Sequence, residues 1–353
     1  MHTTTYKTGD LLSSRSVLTW RIVQSLVWLI GVAIFICLIF FPAVGLLVFW
    51  NILIPVAPAL LVVATGLWRN ICPLATTTLL PRHFNLSKKK KMPLLLQARL
   101  QLVATILLFI IVPLRHAVFN TNGMATAILL SASIVIGVAM GFFYDWKSAW
   151  CSTLCPIHPV EKLYGGKTIF SFPNAHCSQC VNCSVPCPDS TPGFNPSMST
   201  KTDYHKISGL LIIGVLPGFI WGWFHVPDNH LGLNWQTLTG VYTMPVVSGI
   251  LSLILYIILK QIVKGKYEQL LVNCFAAAAV SCYYWFRIPA LFGFGDYAED
   301  GLLINLKEAL PQWSITAIII STTIFFFMWL TVRTPDKKSW VLRPRFADQQ
   351  LAE

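Results

Sequence analysis

Residues 177–188 read CSQCVNCSVPCP, which sets Cys177, Cys180, Cys183 and Cys187 in a Cys-x2-Cys-x2-Cys-x3-Cys-Pro run. Thiolates two residues apart wrap adjacent corners of a cube, and this spacing with a trailing proline is that of a bacterial [4Fe–4S] ligand run. Structural zinc would want two well-separated Cys-x2-Cys pairs, whereas four cysteines here fall within eleven residues. In two-cluster ferredoxins the fourth cysteine of such a run serves the other cluster, and this chain has one complete run. The fourth ligand of the cube is then either Cys187, folding back, or a cysteine from elsewhere. Just upstream, WCSTLCPIHP carries Cys151-x3-Cys155-Pro156. A Cys-Pro pair is the form a ferredoxin's remote ligand takes, so Cys155 is the preferred fourth ligand. Cys187, Cys151 and Cys72 remain for a second site, one cysteine short of a full cluster, to which His158 or His176 could add a nitrogen or a hydrogen bond.

The elements that must position these thiols follow from composition. The chain has 353 residues, 55% hydrophobic and 11% charged, against about 25% charged in a soluble domain. Such a chain needs the bilayer as a second solvent. Eight apolar segments are long enough to cross it: 17–40, 44–67, 95–114, 125–143, 207–224, 242–263, 270–288 and 315–332. The fold class predicted is an all-α membrane protein with about eight transmembrane helices and a ferredoxin-like cysteine loop. The units are 1–144 (spans one to four, with a Cys-Pro loop at 67–92), 145–206 (the cysteine loop), 207–333 (spans five to eight) and 334–353 (a basic tail). Cys37, Cys274 and Cys282 fall inside spans, where a cysteine acts as a small buried hydrophobe.

The net charge is +12, but the basic residues form no nucleic-acid motif, and no nucleic-acid partner is expected. They gather after spans two, four, six and eight: Arg69, Arg82 and Lys88 to Lys91; Lys147, Lys162, Lys167, Lys201 and Lys206; Lys260, Lys264 and Lys266; Arg333, Lys337, Lys338, Arg343 and Arg345. Arg115, Arg287 and Lys307 are exceptions. The positive-inside rule puts these loops and both termini in the cytoplasm, and the expected location is the bacterial inner membrane. In that reducing compartment, cysteines bind metal rather than pair as disulfides. Tryptophans at span ends (Trp20, Trp68, Trp146, Trp150, Trp235, Trp313, Trp340) suit interfacial anchoring.

An internal repeat links the two halves of the first unit. Residues 67–81 (LWRNICPLATTTLLP) and 145–163 (DWKSAWCSTLCPIHPVEKL) each follow an even-numbered span with a Trp, a basic residue, a Cys-Pro and an apolar stretch. The first copy keeps only Cys72.

At these residues, over about 44–190, the chain resembles the membrane-bound polyferredoxin-like family. That family includes the quinol-oxidising accessory protein of periplasmic nitrate reductase, the regulator of nitrous oxide reductase and the ferredoxin-like accessory protein of cytochrome oxidase assembly. The resemblance implies electron transfer between a quinone pool or cytoplasmic donor and a partner redox enzyme. The alternatives are a maturation factor that reduces a metal or thiol in another enzyme, or a redox-sensing membrane scaffold. The chain departs from the family in having one ferredoxin run where the typical relative has two. Its first Cys-Pro lacks the leading cysteine, and four further spans follow the loop.

His116, His225 and His230 lie toward the opposite side. None sits mid-span with a partner, so no haem is expected. They suit interfacial positions, or could line a quinol pocket with Asp228 as proton acceptor. Walker, dinucleotide and haem-attachment motifs are absent from the sequence, which points to an electron-transfer subunit rather than a free-standing enzyme. The cofactors and partners expected are thus one [4Fe–4S] cluster with room for a second, a quinone, membrane lipid and a redox partner protein.

Overall fold

The structure is a computed structural model that describes residues 8–9, 12–90, 92–144, 149–165, 168–170, 172, 175–176, 202–229, 232–297, 300–332 and 343–344. It is an all-α membrane protein. The helices are α1 (Ser14–Phe40), α2 (Pro42–Leu46), α3 (Ile54–Ile71), α4 (Pro73–Thr78), α5 (Leu80–His83), α6 (Leu94–Leu114), α7 (Gly123–Phe143), α8 (His158–Tyr164), α9 (Asp203–Gly214), α10 (Leu216–Phe224), α11 (Trp235–Ile262), α12 (Glu268–Leu291) and α13 (Gln312–Phe327). A π-helical turn, Leu47–Leu53, joins α2 to α3.

Among the described residues seven helices are long and apolar enough to cross a bilayer, and α9 with α10 forms a further pair bent by 45°. Counted as one span, that pair would make eight. Thr8–Gly9 pairs in parallel with Arg343–Pro344. The bend falls just before Pro217, whose ring and missing N–H interrupt the helical ladder.

The predicted spans lie inside the observed helices to within a residue, the last continuing from α13 through a π-helical turn at Met328–Val332, with one consequential extension. Span two was expected to end at Leu67 and give way to a loop over 67–92. It continues as helix to Ile71, breaks at Cys72, and resumes through α4 and α5. Cys72 therefore sits at a helix junction, with ψ of 117°, and Pro73 opens the next helix where its missing N–H costs nothing.

Span two is also broken higher up. Pro55 and Pro58 fall in this stretch, and each lacks the N–H that the helical ladder uses. There the Tyr284 hydroxyl enters the ladder: it accepts from Ala59 N (2.8 Å) and donates to the Pro55 carbonyl (2.6 Å). A group inserted between i and i+4 partners is a recognised cause of bending. Tyr284 is buried against Phe326, so Tyr284→Phe leaves two backbone groups unpaired in an apolar setting. The expected cost is about 1–3 kcal/mol, read as a lower thermal midpoint in detergent. A second break, at Ala64 (φ −153°, ψ 61°), frees the Val63 carbonyl, which accepts from Ile169 N and Phe170 N at 2.9 and 3.0 Å.

Helix contacts are close where glycines allow them, as expected where lipid gives no hydrophobic drive between helices. A Cβ on Gly141 of α7 would lie 2.3 Å from the Thr78 carbonyl oxygen, and one on Gly137 would lie 2.6 Å from Thr78 Cγ2. Those contacts seat α4 on α7. Trp235 and Trp313 are exposed, as interfacial anchors should be. Trp150 is not an anchor: it is buried beside Gly137 of α7.

Candidate functional site

The two copies of the repeat meet face to face. Cys72 from the first copy, and Cys151 and Cys155 from the second, join one buried cluster with Ala75, Leu79 and Trp150. The second copy is shaped by its own backbone. Cys155 N donates to the Trp150 carbonyl and His158 N to the Cys155 carbonyl, both at 3.1 Å. These turns deliver Cys155 to the start of α8, and the Tyr164 hydroxyl then ties α8 to the Ala276 carbonyl of α12 at 3.0 Å.

Beneath the thiols lies a buried ionic group that also joins the copies. Arg69 pairs with Glu161 and donates through Nη2 to His158 Nδ1 at 2.8 Å. All three are buried. A guanidinium is only a donor, so His158 Nδ1 is the acceptor and that nitrogen carries no proton. Burial, with Arg69 and Lys162 nearby, brings the His158 pKa down to about 4. Burial would raise that of Glu161, but the Arg69 charge beside it outweighs burial and holds the carboxylate below its usual range. Burial pushes the Cys155 thiol far up, with Glu161, Cys151 and Cys72 adding to the rise and Arg69 opposing it. Such a thiol gives up its proton when a metal takes the sulfur, and the Arg69 guanidinium is the nearby cation that offsets thiolate charge.

The loop that leads into the ferredoxin run is docked on the same spot. Ala175 N donates to Asn70 Oδ1 (3.1 Å), and His176 Nε2 lies 3.2 Å from the Asn70 carbonyl. Gln24 of α1 donates to that carbonyl (3.0 Å), and its Nε2 lies 3.3 Å from His176 Nε2. Asn70 is two residues from Cys72, and His176 is the residue before Cys177.

Cys177, Cys180, Cys183 and Cys187 themselves lie outside the described residues, as do Lys147 and Lys167. Among the described residues, no group of three or more His, Cys, Asp or Glu side chains is arranged to hold a metal ion. Cys72, Cys151 and Cys155 thus share one pocket without forming a complete ligand set. They are sulfur donors beside a cation, with Cys151 buried and Cys72 and Cys155 partly buried, a chemistry that fits an anionic iron–sulfur cluster to which the run would supply the other thiolates. One ring nitrogen of each candidate histidine is engaged by hydrogen bonds, Nδ1 of His158 with Arg69 and Nε2 of His176 with the Asn70 carbonyl. Lys162, expected to be a surface charge, is buried.

The structure adds Glu161, Asn70 and Gln24 to the residues the sequence singled out. Glu161 had a visible signal. It is an acid within a basic loop, three residues after His158 and so on the same helix face.

At the other end of α7, about 30 Å away for a helix of 21 residues, His116 is buried and its Nδ1 lies 2.6 Å from Asp228 Oδ1. His225 is not part of that pair: its Nδ1 faces the Trp221 carbonyl at 2.7 Å and its ring packs on Trp221 and Phe286. His230 lies outside the described residues. Arg115 and Arg287, the exceptions to the charge rule, are buried here. Arg115 lies 4.1 and 4.8 Å from the ring centres of Trp50 and Trp223. They are structural cations rather than solvent-facing topology signals. No known protein family, curated relative or solved structure matches the chain.

Proposed function

We propose that the chain is a membrane-bound iron–sulfur electron-transfer protein of the polyferredoxin-like kind, passing electrons between a quinone pool or cytoplasmic donor and a partner redox enzyme. One observation carries this reading. The cysteines of both repeat copies and the anchored residue before the ferredoxin run converge on a single buried, cation-bearing pocket. A structural role alone does not call for three cysteines from two separated segments at the foot of a four-cysteine run.

Cys177, Cys180, Cys183 and Cys155 would hold a [4Fe–4S] cluster, with Cys187 as the other candidate for the fourth corner and Cys72 and Cys151 beside it. Bound there, the cluster supplies one-electron chemistry at a potential set by hydrogen bonds, charge and burial. The chain's own contributions are distinct. Arg69 offsets negative charge next to the sulfurs, Glu161 fixes Arg69, and Asn70 and Gln24 hold the entrance to the run. Trp150, Leu79 and Ala75 pack against the cysteines. On the positive-inside reading, the pocket and both termini face the cytoplasm of a bacterial inner membrane.

Iron and acid-labile sulfide per chain, measured together with the electron paramagnetic resonance spectrum of the dithionite-reduced protein, test this. About four irons with a reduced-cube signal are expected for one cluster, and about eight for two. Zinc in place of iron, or no metal after anaerobic reconstitution, overturns it.

A further inference from the structure

Away from the cysteine pocket, α5 and the end of α7 flank a surface groove of about 670 Å³ whose lining is wholly apolar. Val135, Ala139 and Phe142 line it from one face of α7, at the three- and four-residue spacing that stacks side chains along a helix. Leu80 and Phe84, at the two ends of α5, line the other side. Phe84 and Val135 are 70% and 66% exposed, so no described residue covers the groove. From Val135 to Phe142 the helix rises about 10 Å, a trough along which an acyl chain can lie.

One rim of this trough carries a fixed positive charge. Lys88 Nζ lies 5.5 and 5.2 Å from the ring centres of Phe142 and Phe143, both of which line the groove. An ammonium held on aromatic faces keeps its N–H donors for an anion. The backbone beneath it is pinned to α7. Ser87 Oγ donates to the Gly141 carbonyl at 2.7 Å, Lys88 N to the Phe142 carbonyl at 2.8 Å and Lys90 N to the Phe143 carbonyl at 3.2 Å. These bonds take up carbonyls that the last turn of a helix leaves open. Lys89 sits at φ +51°, a left-handed conformation that a lysine keeps only where its surroundings hold it.

No nearby acid answers this charge. Residues 11–144 contain no aspartate or glutamate, and among the described residues no carboxylate pairs with Lys88 or Lys90. Asp145, the first acid after that stretch, lies outside the described residues. Membrane topology alone calls for lysines near a span end. It does not call for an ammonium set on the lip of an apolar trough. A matching ligand has an apolar chain for the groove and a net negative group for the lip. A phospholipid with an anionic headgroup has both, and basic pockets beside membrane helices are a known mode of headgroup recognition.

We propose that this groove holds one anionic phospholipid, with its phosphate at Lys88, Lys90 adding a second positive charge, and one acyl chain lying along α7 between Phe84 and Val135. The site stands independently of the iron–sulfur reading. Leu80 belongs to the helical run that follows Cys72 through α4 and α5, so a lipid bound here braces the first repeat copy against α7.

The test is native mass spectrometry of the full chain, titrated in detergent with phosphatidylglycerol or with phosphatidylcholine of the same chains. One phosphatidylglycerol per chain is expected, with a preference of about tenfold over phosphatidylcholine. Lys88→Gln with Lys90→Gln removes the charge and should abolish the preference. Ala139→Trp fills the groove and should release either lipid. All three positions are exposed, so these variants keep the fold. Lys260→Gln with Lys264→Gln, at exposed lysines near the end of α11, is the control and should keep the preference. Equal retention of the two lipids by the parent chain, undiminished retention by either groove variant, or an equal loss in the control overturns the site. A dimer that Ala139→Trp dissociates, with no lipid preference, gives the groove to a second copy of the chain and overturns it too.

Discussion

Cys155→Ser is expected to strip the protein of its cube, with iron falling from about four per chain to below about one and the reduced-state resonance lost. Two features make this the decisive ligand substitution. Cys155 is the residue that the second repeat copy delivers to the pocket, through the turn that joins Trp150 to α8. It is also a partly buried thiol packed against Trp150 and Cys151, and a serine hydroxyl in its place is a poor metal donor. Cys187→Ser discriminates between the two candidates for the fourth corner. If Cys155 closes the cube, Cys187→Ser keeps about four irons, and if Cys187 closes it, the two variants exchange phenotypes. Cys37→Ala is the neutral control, because Cys37 lies partly exposed within α1, among residues that face lipid. Iron retained in full by both Cys155→Ser and Cys187→Ser would sink the ligand assignment.

Much of this architecture was legible in the sequence because membrane helices announce themselves by length and composition. All eight apolar segments correspond to observed helices or to the bent pair. The repeat was legible too, since Cys-Pro after an even-numbered span recurs, and the fold brings those copies together. Three things were hidden. The extension of span two past Leu67 was hidden because Arg69 and Asn70 look like the start of a polar loop. In the fold they are buried inside the bundle and satisfied there by Glu161, His158, Gln24 and His176. Trp150 looked interfacial because a tryptophan near a span end usually is, and only the glycine face of α7 shows that it turns inward. The pairing of His116 with Asp228 spans 112 residues, a separation at which hydropathy carries no information. Arg115 and Arg287 were the clue to that site, since charges on the wrong side of the topology pattern are often buried for a reason.

The second large effect concerns the ion pair under the thiols, and its sign depends on which partner is removed. Arg69→Ala leaves Glu161 as a buried carboxylate without its cation, and breaking a buried pair in this way costs about 3–5 kcal/mol. In the parent chain the Glu161 pKa is held down, so its contribution is present above the unfolded carboxylate pKa of about 4.3 and is lost as pH falls below that value. In Arg69→Ala the burial penalty acts unopposed and the Glu161 pKa rises. The charged form is then disfavoured in the folded state, and stability falls as pH rises. The variant should therefore be most impaired at pH 8 and partly recovered near pH 5, the reverse of the parent's carboxylate-linked trend. His158 narrows the lower end of that window. Its own depressed pKa of about 4 makes folding oppose its protonation, so the parent loses stability from about pH 6.5 downward. Arg69→Met with Glu161→Gln removes both charges at similar volume. It should regain most of the stability, because an apolar or neutral replacement of a buried pair is often close to neutral. The cycle of two single variants and the double variant, read by thermal unfolding in detergent at pH 5 and pH 8, isolates the coupling. A coupling near zero, or single variants with no pH-dependent difference, would show that the pair does not hold the two repeat copies together. A double variant that is stable yet takes up less iron would assign Arg69 its second task, offsetting the charge of the thiolates beside it.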